Sequence, residues 1–346
     1  MNGTGSVAAF RKRLDSVRAR MLALPHVTGV GFGWKERRGE VTDVASWRVY
    51  VSKKMAPAEL SPAETVPARC EGLPTDVVPA CSGTAAMQIG ESASLRPGVT
   101  ITNLRGIKPE QAAGPQHSGM GTLGFLALVN GIRRREVVLV SNRHVLLAHG
   151  AGSGDPVYAP VFSRRGETCM VRASSLEPVA EVMDEGAEQN HAFHYDREPA
   201  DDYFVDCATA RLLATPAAGL VSEGEATIPV VRGVARLHPL DVLGHRAARV
   251  RKIGGASGVT LGHAVDVAAP VETSSGPQRL GNIVIRGMNG PFVSPGDSGA
   301  LVLNERDQAV GLVWGRSDRD PRVAYACHIH PVLDRLDVTL MCGGLA

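Results

Sequence analysis

The sequence predicts an all-β core of short antiparallel strands, closed or nearly closed into a barrel, behind a small N-terminal α+β unit. Three observations predict it. From residue 227 onward, short apolar runs recur between turn signals, at 227–234, 249–253, 259–267, 279–286, 300–303, 309–313 and 323–328. Upstream, two apolar runs at 123–129 and 136–140 flank Asn130-Gly131, a hairpin signal whose loop is lengthened by the arginines that follow. Residues 5–24 carry Val7, Phe10, Leu14, Val17, Met21 and Leu24 at steps of three and four, so one face of a helix is apolar.

In chain order, that helix meets Pro25, which ends it. The stretches 27–36 and 45–53 alternate as strands. A loop or short helix follows at 57–66, then a third extended piece at 72–79. Gly29-Val-Gly-Phe-Gly within the first strand is no dinucleotide fingerprint: its third glycine is misplaced and a strand, not a helix, continues from it. Residues 83–118 are rich in Gly, Ser, Pro and Ala and read as a linker. Residues 184–202 read as a polar, acidic, mobile loop. Its His191 and His194 have no third ligand nearby, so no metal is expected there. A short terminal helix is expected at 330–336.

With 346 residues and 44% hydrophobic content, the chain has enough material for two cored units. Its net charge of +2 and lack of a long basic block give no reason to expect nucleic acid. No apolar run of 18 residues suggests a membrane span, and the N-terminus lacks a signal-peptide core, so a cytoplasmic protein is expected. Its six cysteines, at 70, 81, 169, 207, 327 and 342, lack Cys-x-x-Cys spacing and read as free thiols.

The candidate chemistry lies in Ser294-Pro-Gly-Asp-Ser-Gly-Ala300, directly ahead of the apolar run 301–303. Gly296 and Gly299 let the backbone bend sharply, and such a bend aims the amides of Gly296 and Ser298 at one point. Two convergent N–H groups beside a serine make an oxyanion hole. A serine nucleophile needs a base, and the base needs an orienting carboxylate. His144 stands just past the apolar run 137–141, held but reachable. Asp206 stands inside the apolar run 203–212, where a carboxylate needs a partner such as an imidazole N–H. Each alone reads most simply as structural; the order His, Asp, Ser gives them a joint meaning.

On Asn-Arg-His144-Val, Val-Asp206-Cys-Ala, Gly296-Asp-Ser298-Gly and Val310-Gly-Leu-Val-Trp314-Gly315, the sequence resembles the trypsin/chymotrypsin-like serine proteases. Within them it looks most like bacterial trypsin-like proteins related to the plant NARROW LEAF 1 type, through the segments beginning at Gly121 and Val250 and the Leu-Pro-His-Val-Thr-Gly-Val-Gly opening. The resemblance implies a double six-stranded antiparallel β-barrel with the site in the cleft between barrels. It divides the chain into an α+β regulatory or assembly domain at 1–82, a linker at 83–118 and a protease domain at 119–346. Asp206, with its Asp-x-Ala context, is preferred to Asp201 and Asp202 as the triad acid.

The implied activity is intracellular serine endopeptidase action on a protein or peptide substrate, in a bacterial regulatory or defence module. No metal or organic cofactor, nucleic acid or membrane takes part. The resemblance also assigns Val313, Trp314 and Gly315 to pairing with substrate backbone and Phe292 to the base of the primary specificity pocket. Asp297, which in digestive relatives pairs with a new N-terminus, is expected to find an internal partner here. The N-terminal domain is left as the surface for a homo-oligomer or regulatory partner. The alternative is a catalytically silent trypsin-like peptide-binding or scaffold protein.

Overall fold

Along Arg249–Gly254 every second residue, Val250, Lys252 and Gly254, is buried, the alternation of a strand with one face to a core. The computed structural model describes residues 3–37, 40–55, 59–79, 81–84, 95–103, 120–131, 136–159, 162–165, 168–171, 177–196, 198–213, 231–243, 248–273 and 276–342. This strand belongs to a closed six-stranded antiparallel barrel. The order is Arg249–Gly254, Leu301–Asn304, Ala309–Ser317, Val323–His328, Arg279–Gly287 and Gly258–Glu272, and the last pairs back with the first. Val250, Ala264, Ile283, Ile285, Phe292 and Val302 share one core cluster there.

The other half of the core is an eight-stranded antiparallel sheet that curls into a half-barrel. Its order is Val338–Leu340, Phe125–Val129, Val137–Ser141, Asp201–Leu212, Pro178–Phe193, Pro156–Tyr158, Thr100–Thr102 and Met120–Thr122. The terminal helix, Ile329–Leu336, packs Ile329, Val332 and Leu336 into a cluster that also holds Phe125, Val140, Val205 and Trp314, so one core spans both halves.

Much of the stretch read as a mobile acidic loop, from 184 to 193, is strand. Pro178–Phe193 pairs with Asp201–Leu212 from Ala180↔Leu212 to Phe193↔Asp201. The partner strand is buried along its middle and supplies a complete backbone ladder, which outweighs the polar composition of the exposed neighbour. Thr100–Thr102, within the stretch read as linker, is also a strand. Of the run expected at 227–234, residues 227–230 lie outside the described residues and Val234 makes an isolated bridge to Ala309. Residues 57 and 58, in the expected loop or short helix, lie outside them too.

The N-terminal helix runs Gly3–Met21 and places Phe10, Leu14, Val17 and Met21 against Val30, Phe32, Trp47 and Val49 of the strands Val27–Arg37 and Glu40–Val51. Each such burial stabilises the docking by roughly 1.5–3 kcal/mol before ordering costs. The Trp47 indole N–H donates to the Cys70 carbonyl at 2.9 Å. This unit extends the barrel sheet: Val27–Arg37 pairs with Gly258–Glu272 through Gly33↔Asp266. The Tyr50 hydroxyl donates to the buried Asp266 carboxylate at 2.5 Å, and burial pushes that carboxyl's pKa up. Glu36 is bonded to Arg48 at 2.9 Å and to Arg286 at 3.0 Å, and Arg286 reaches Asp320 at 3.0 Å. No helix among the described residues is long and apolar enough to cross a membrane.

Candidate active site

The strand Val137–Ser141 ends at Asn142, and the short helix Arg143–Leu146 begins there, so His144 leaves the sheet edge on a turn that the backbone fixes. Val145 and Leu146 anchor that turn in the core. Asp206, on the neighbouring strand Asp201–Leu212, is wholly buried. One carboxylate oxygen accepts from the Arg143 amide at 2.7 Å and the His144 amide at 3.3 Å. The other is 2.5 Å from His144 Nδ1. Asn142 Nδ2 donates to the Asp206 carbonyl at 2.7 Å, tying the same two segments together. The cost of burying the carboxylate is offset by these donors.

This contact fixes the ring: Nδ1–H faces Asp206 and Nε2 is left as the basic atom. Among the described residues Nε2 is buried and has no hydrogen-bond partner. Burial alone would lower the His144 pKa, but the Asp206 charge and hydrogen bond outweigh it and the net shift is upward. The acid limb of kcat/KM is therefore expected above the ordinary imidazole value of about 6.5. A pH–rate profile tests this, and Asp206→Asn, which removes the negative charge, should move the limb down. For stability the sign is opposite. The protonated pair contributes fully below the unfolded value of about 6.5, and the contribution is lost as pH rises through the raised folded value.

Ser298 sits in the turn between Ser294 and Leu301, almost wholly buried. Gly299 has φ 90°, and a Cβ there would lie 2.2 Å from Ser141 Oγ and 2.4 Å from the Thr122 carbonyl, so only glycine fits. Gly296 also has positive φ, at 100°. The turn is held against the half-barrel: the Thr122 amide donates to the Ser298 carbonyl at 2.7 Å and Thr122 Oγ1 to the Gly296 carbonyl at 2.7 Å. Gly121 fills the gap between the two segments, since a Cβ there would lie 2.4 Å from Val145 Cγ2 and 2.8 Å from the Ser298 carbonyl. The Val145 side chain and the Ser298 backbone thus flank one glycine. The Ser298 hydroxyl is not hydrogen-bonded to Nε2; in catalytic sites such contacts often tighten only when substrate binds.

Asp297 has the internal partner expected of it, and the partner is Lys252. Nζ is 2.8 Å from Asp297 Oδ2, with both side chains fully buried. The carboxylate also accepts from the amides of Ser294, Ala256 and Ser257 at 2.8, 3.0 and 3.1 Å, and from Ser257 Oγ at 2.5 Å. Burial lowers the Lys252 pKa against the pull of Asp297. Lys252→Met strands a buried carboxylate beside Ser298 and is expected to cost about 3–5 kcal/mol of unfolding free energy. Urea titration measures this, and adding Asp297→Asn to Lys252→Met should restore part of the loss. Sequence reasoning missed Lys252, although its signal was present: a lysine on the inward side of an alternating strand.

The remaining candidates fall into two groups. Trp314 is buried, stacked on Tyr325 with centroids 5.4 Å apart, and donates its indole N–H to Asn282 Oδ1 at 3.0 Å. Arg279, also missed, lies 4.5 Å over the Trp314 ring and 4.4 Å over Phe204, held by Glu188 at 2.6 Å. Val313 bonds through its backbone to Gly299 and Ala300, and Gly315 follows on the same strand. Phe292 is wholly buried in the barrel cluster, and its carbonyl accepts from Thr260 Oγ1 at 2.6 Å. Apart from these, His191 pairs with Asp334 at 2.8 Å, and Asp201 lies 3.8 Å from Arg18. Among the described residues no group of three or more His, Cys, Asp or Glu side chains is placed to hold a metal ion.

No family model matches the sequence, nor does any curated protein. Among solved structures, the chain is similar to Thermobifida fusca Protease A, at 15% identity and TM-score 0.44 over 72% of this chain and 100% of that one. It is also similar to Nocardiopsis Protease, at 16% identity and TM-score 0.42 over 72% and 99%. A third is Cellulomonas bogoriensis chymotrypsin, at 16% identity and TM-score 0.39 over 71% and 98%.

Proposed function

We propose that this chain is a serine endopeptidase that cleaves peptide bonds through an acyl-enzyme, of the trypsin-like kind and the NARROW LEAF 1 type that its sequence resembles. The observation that carries the reading is the His144–Asp206 pair. A fully buried carboxylate sets the imidazole tautomer through Nδ1 and leaves Nε2 buried and without a hydrogen-bond partner among the described residues, and the side chain of the next residue, Val145, faces the Ser298 carbonyl across Gly121. A merely structural histidine has no need of that tautomer control.

In the proposed cycle Ser298 Oγ attacks the scissile carbonyl while His144 Nε2 takes its proton. Asp206 holds the ring and stabilises the imidazolium. The oxyanion is held by the Gly296 and Ser298 amides, the C–N bond breaks, and His144 returns the proton to the leaving amine. Water, activated by the same histidine, then hydrolyses the ester. The backbone edge of Val313, Trp314 and Gly315 pairs with the substrate as an added strand.

A peptide-library digest with Ser298→Ala as control tests the reading, with cleavage by the wild type alone as the expected result. The cleaved position should not favour Lys or Arg. Phe292 presents no carboxylate, and of the two acids that follow Trp314, Asp318 and Asp320, the second is engaged by Arg286. Burying an unpaired cation costs several kcal/mol. A dominant Lys or Arg before the scissile bond contradicts this assignment of the pocket.

A further inference from the structure

Arg279 opens the strand Arg279–Gly287, and its neighbours hold it from three sides. Asn190 fixes the chain just before and just after it: its Nδ2 donates to the Gln278 carbonyl at 2.9 Å, and its Oδ1 accepts from the Leu280 amide at 3.0 Å. Asn282 Nδ2 donates to the Arg279 carbonyl at 2.7 Å, and the same amide's oxygen takes the Trp314 indole N–H. The guanidinium lies over the Phe204 and Trp314 rings, and its Nη2 donates to Glu188 Oε1 at 2.6 Å. An ordinary surface ion pair contributes little and needs no such scaffold.

Glu188 stands directly opposite Asp206 in the ladder between Pro178–Phe193 and Asp201–Leu212, so the two side chains leave the same face of the sheet. Asp206 holds His144 at 2.5 Å, and the imidazole feels the charges of both Glu188 and Arg279. The Glu188–Arg279 pair therefore borders His144 on one side and Trp314 on the other. Both members are reachable, with 31% of the Glu188 side chain and 19% of the Arg279 side chain exposed. Burial and the Asp206 charge push the Glu188 carboxyl up against the pull of Arg279, which marks a carboxylate short of donors. Arg279 in turn has N–H groups to spare, since Glu188 is its only side-chain hydrogen-bond partner among the described residues.

Val313, Trp314 and Gly315 are the edge assigned above to substrate. Just beyond them that edge is closed, because Arg316 and Ser317 pair with the strand Cys81–Thr84 through Thr84↔Arg316 and Gly83↔Ser317. A bound peptide is thus read over the few residues ahead of its scissile bond. Side chains alternate along an added strand. With the cleaved residue turned to the barrel and Phe292, the residue before it turns to the half-barrel, where His144, Glu188 and Arg279 stand.

We infer that Glu188 and Arg279 select a carboxamide side chain, Asn or Gln, at the residue immediately before the cleaved one, an inference that rests on the serine-peptidase reading above. The carboxamide oxygen accepts from the Arg279 guanidinium and its NH2 donates to the second Glu188 oxygen, so one neutral group satisfies both. The charges around Glu188 balance, Asp206 and Glu188 itself against Arg279 and Arg143. A lysine or arginine of the substrate would meet Arg279 and oppose the positive charge that His144 acquires as it takes the Ser298 proton. An aspartate or glutamate would meet Glu188 and Asp206. An aliphatic side chain would shield Glu188 and Arg279 from water and leave their spare hydrogen-bonding atoms unpaired.

The test is a peptide-library digest by the full-length protein, with kcat/KM measured on matched peptides carrying Gln, Asn, Leu, Glu or Lys before the cleaved residue and with fluorophosphonate labelling of Ser298 in parallel. The expected result is a kcat/KM for the Gln or Asn peptide at least about tenfold above its Leu, Glu and Lys counterparts. Two variants separate recognition from a structural role, because they should move the preference in opposite directions. Arg279→Met, which leaves the Glu188 charge, shifts it toward Lys; Glu188→Gln, which leaves the Arg279 charge, shifts it toward Glu. Wild type that labels at Ser298 but cuts no peptide, or cuts without favouring Asn or Gln at that position, overturns the inference and leaves the activated serine standing. An Asn or Gln preference that both variants keep overturns it too. Failure of Ser298 to label, with no peptide cut, overturns the peptidase reading itself.

Discussion

Ser298→Ala is expected to lower turnover of any cleaved peptide by about a millionfold while leaving the protein folded. In the proposed cycle the hydroxyl oxygen forms the new bond, and no other hydroxyl stands in the Gly296–Gly299 turn. The structural cost is small, because the turn is held by elements the substitution does not touch: the Thr122 bonds to Ser298 and Gly296, the Asp297–Lys252 pair, and the Gly299 amide on the Val313 carbonyl. Single-turnover kinetics with circular dichroism on the same samples checks both halves. Turnover within tenfold of wild type contradicts the assignment of Ser298.

Asp206→Asn is expected to lower turnover by roughly ten-thousandfold. The carboxylate oxygen facing His144 Nδ1 accepts a proton; an amide NH2 in its place donates one, which forces the ring proton onto Nε2. That atom then cannot take the Ser298 proton. The other oxygen keeps its amide donors from Arg143 and His144, so the fold is expected to survive. Asp201, 3.8 Å from Arg18, and Asp202, exposed at the start of the strand, have no contact with His144, and their substitution should change turnover by no more than a few-fold. Equal losses at all three positions contradict the assignment of Asp206.

The parts legible in the sequence were those written in local chemistry. The Gly-Asp-Ser-Gly turn, the histidine after a buried strand and the acid within one each carried a physical demand, and the structure pairs the latter two at 2.5 Å. The helix face of Phe10, Leu14, Val17 and Met21 was read the same way and is buried as its spacing implies. What escaped was set by partners distant in sequence. The polar residues near 184–193 look like a loop until the buried strand opposite them is known. Thr100–Thr102, Met120–Thr122 and Pro156–Tyr158 are too short for an alternation to register. The ladder from Gly33 to Asp266 leaves no mark in either local pattern, nor does the pairing of Thr84 with Arg316. Lys252 lies between these cases: its inward place on the strand was visible, but its partner was not.

The most direct test of the central claim is reaction of the native chain with a fluorophosphonate, in which an activated serine oxygen displaces fluoride from phosphorus, followed by peptide mapping of the adduct. The account predicts one modified residue, Ser298, with labelling abolished in His144→Ala and strongly slowed in Asp206→Asn. A folded wild-type protein that acquires no adduct at Ser298, or a His144→Ala variant that labels as fast as wild type, contradicts it.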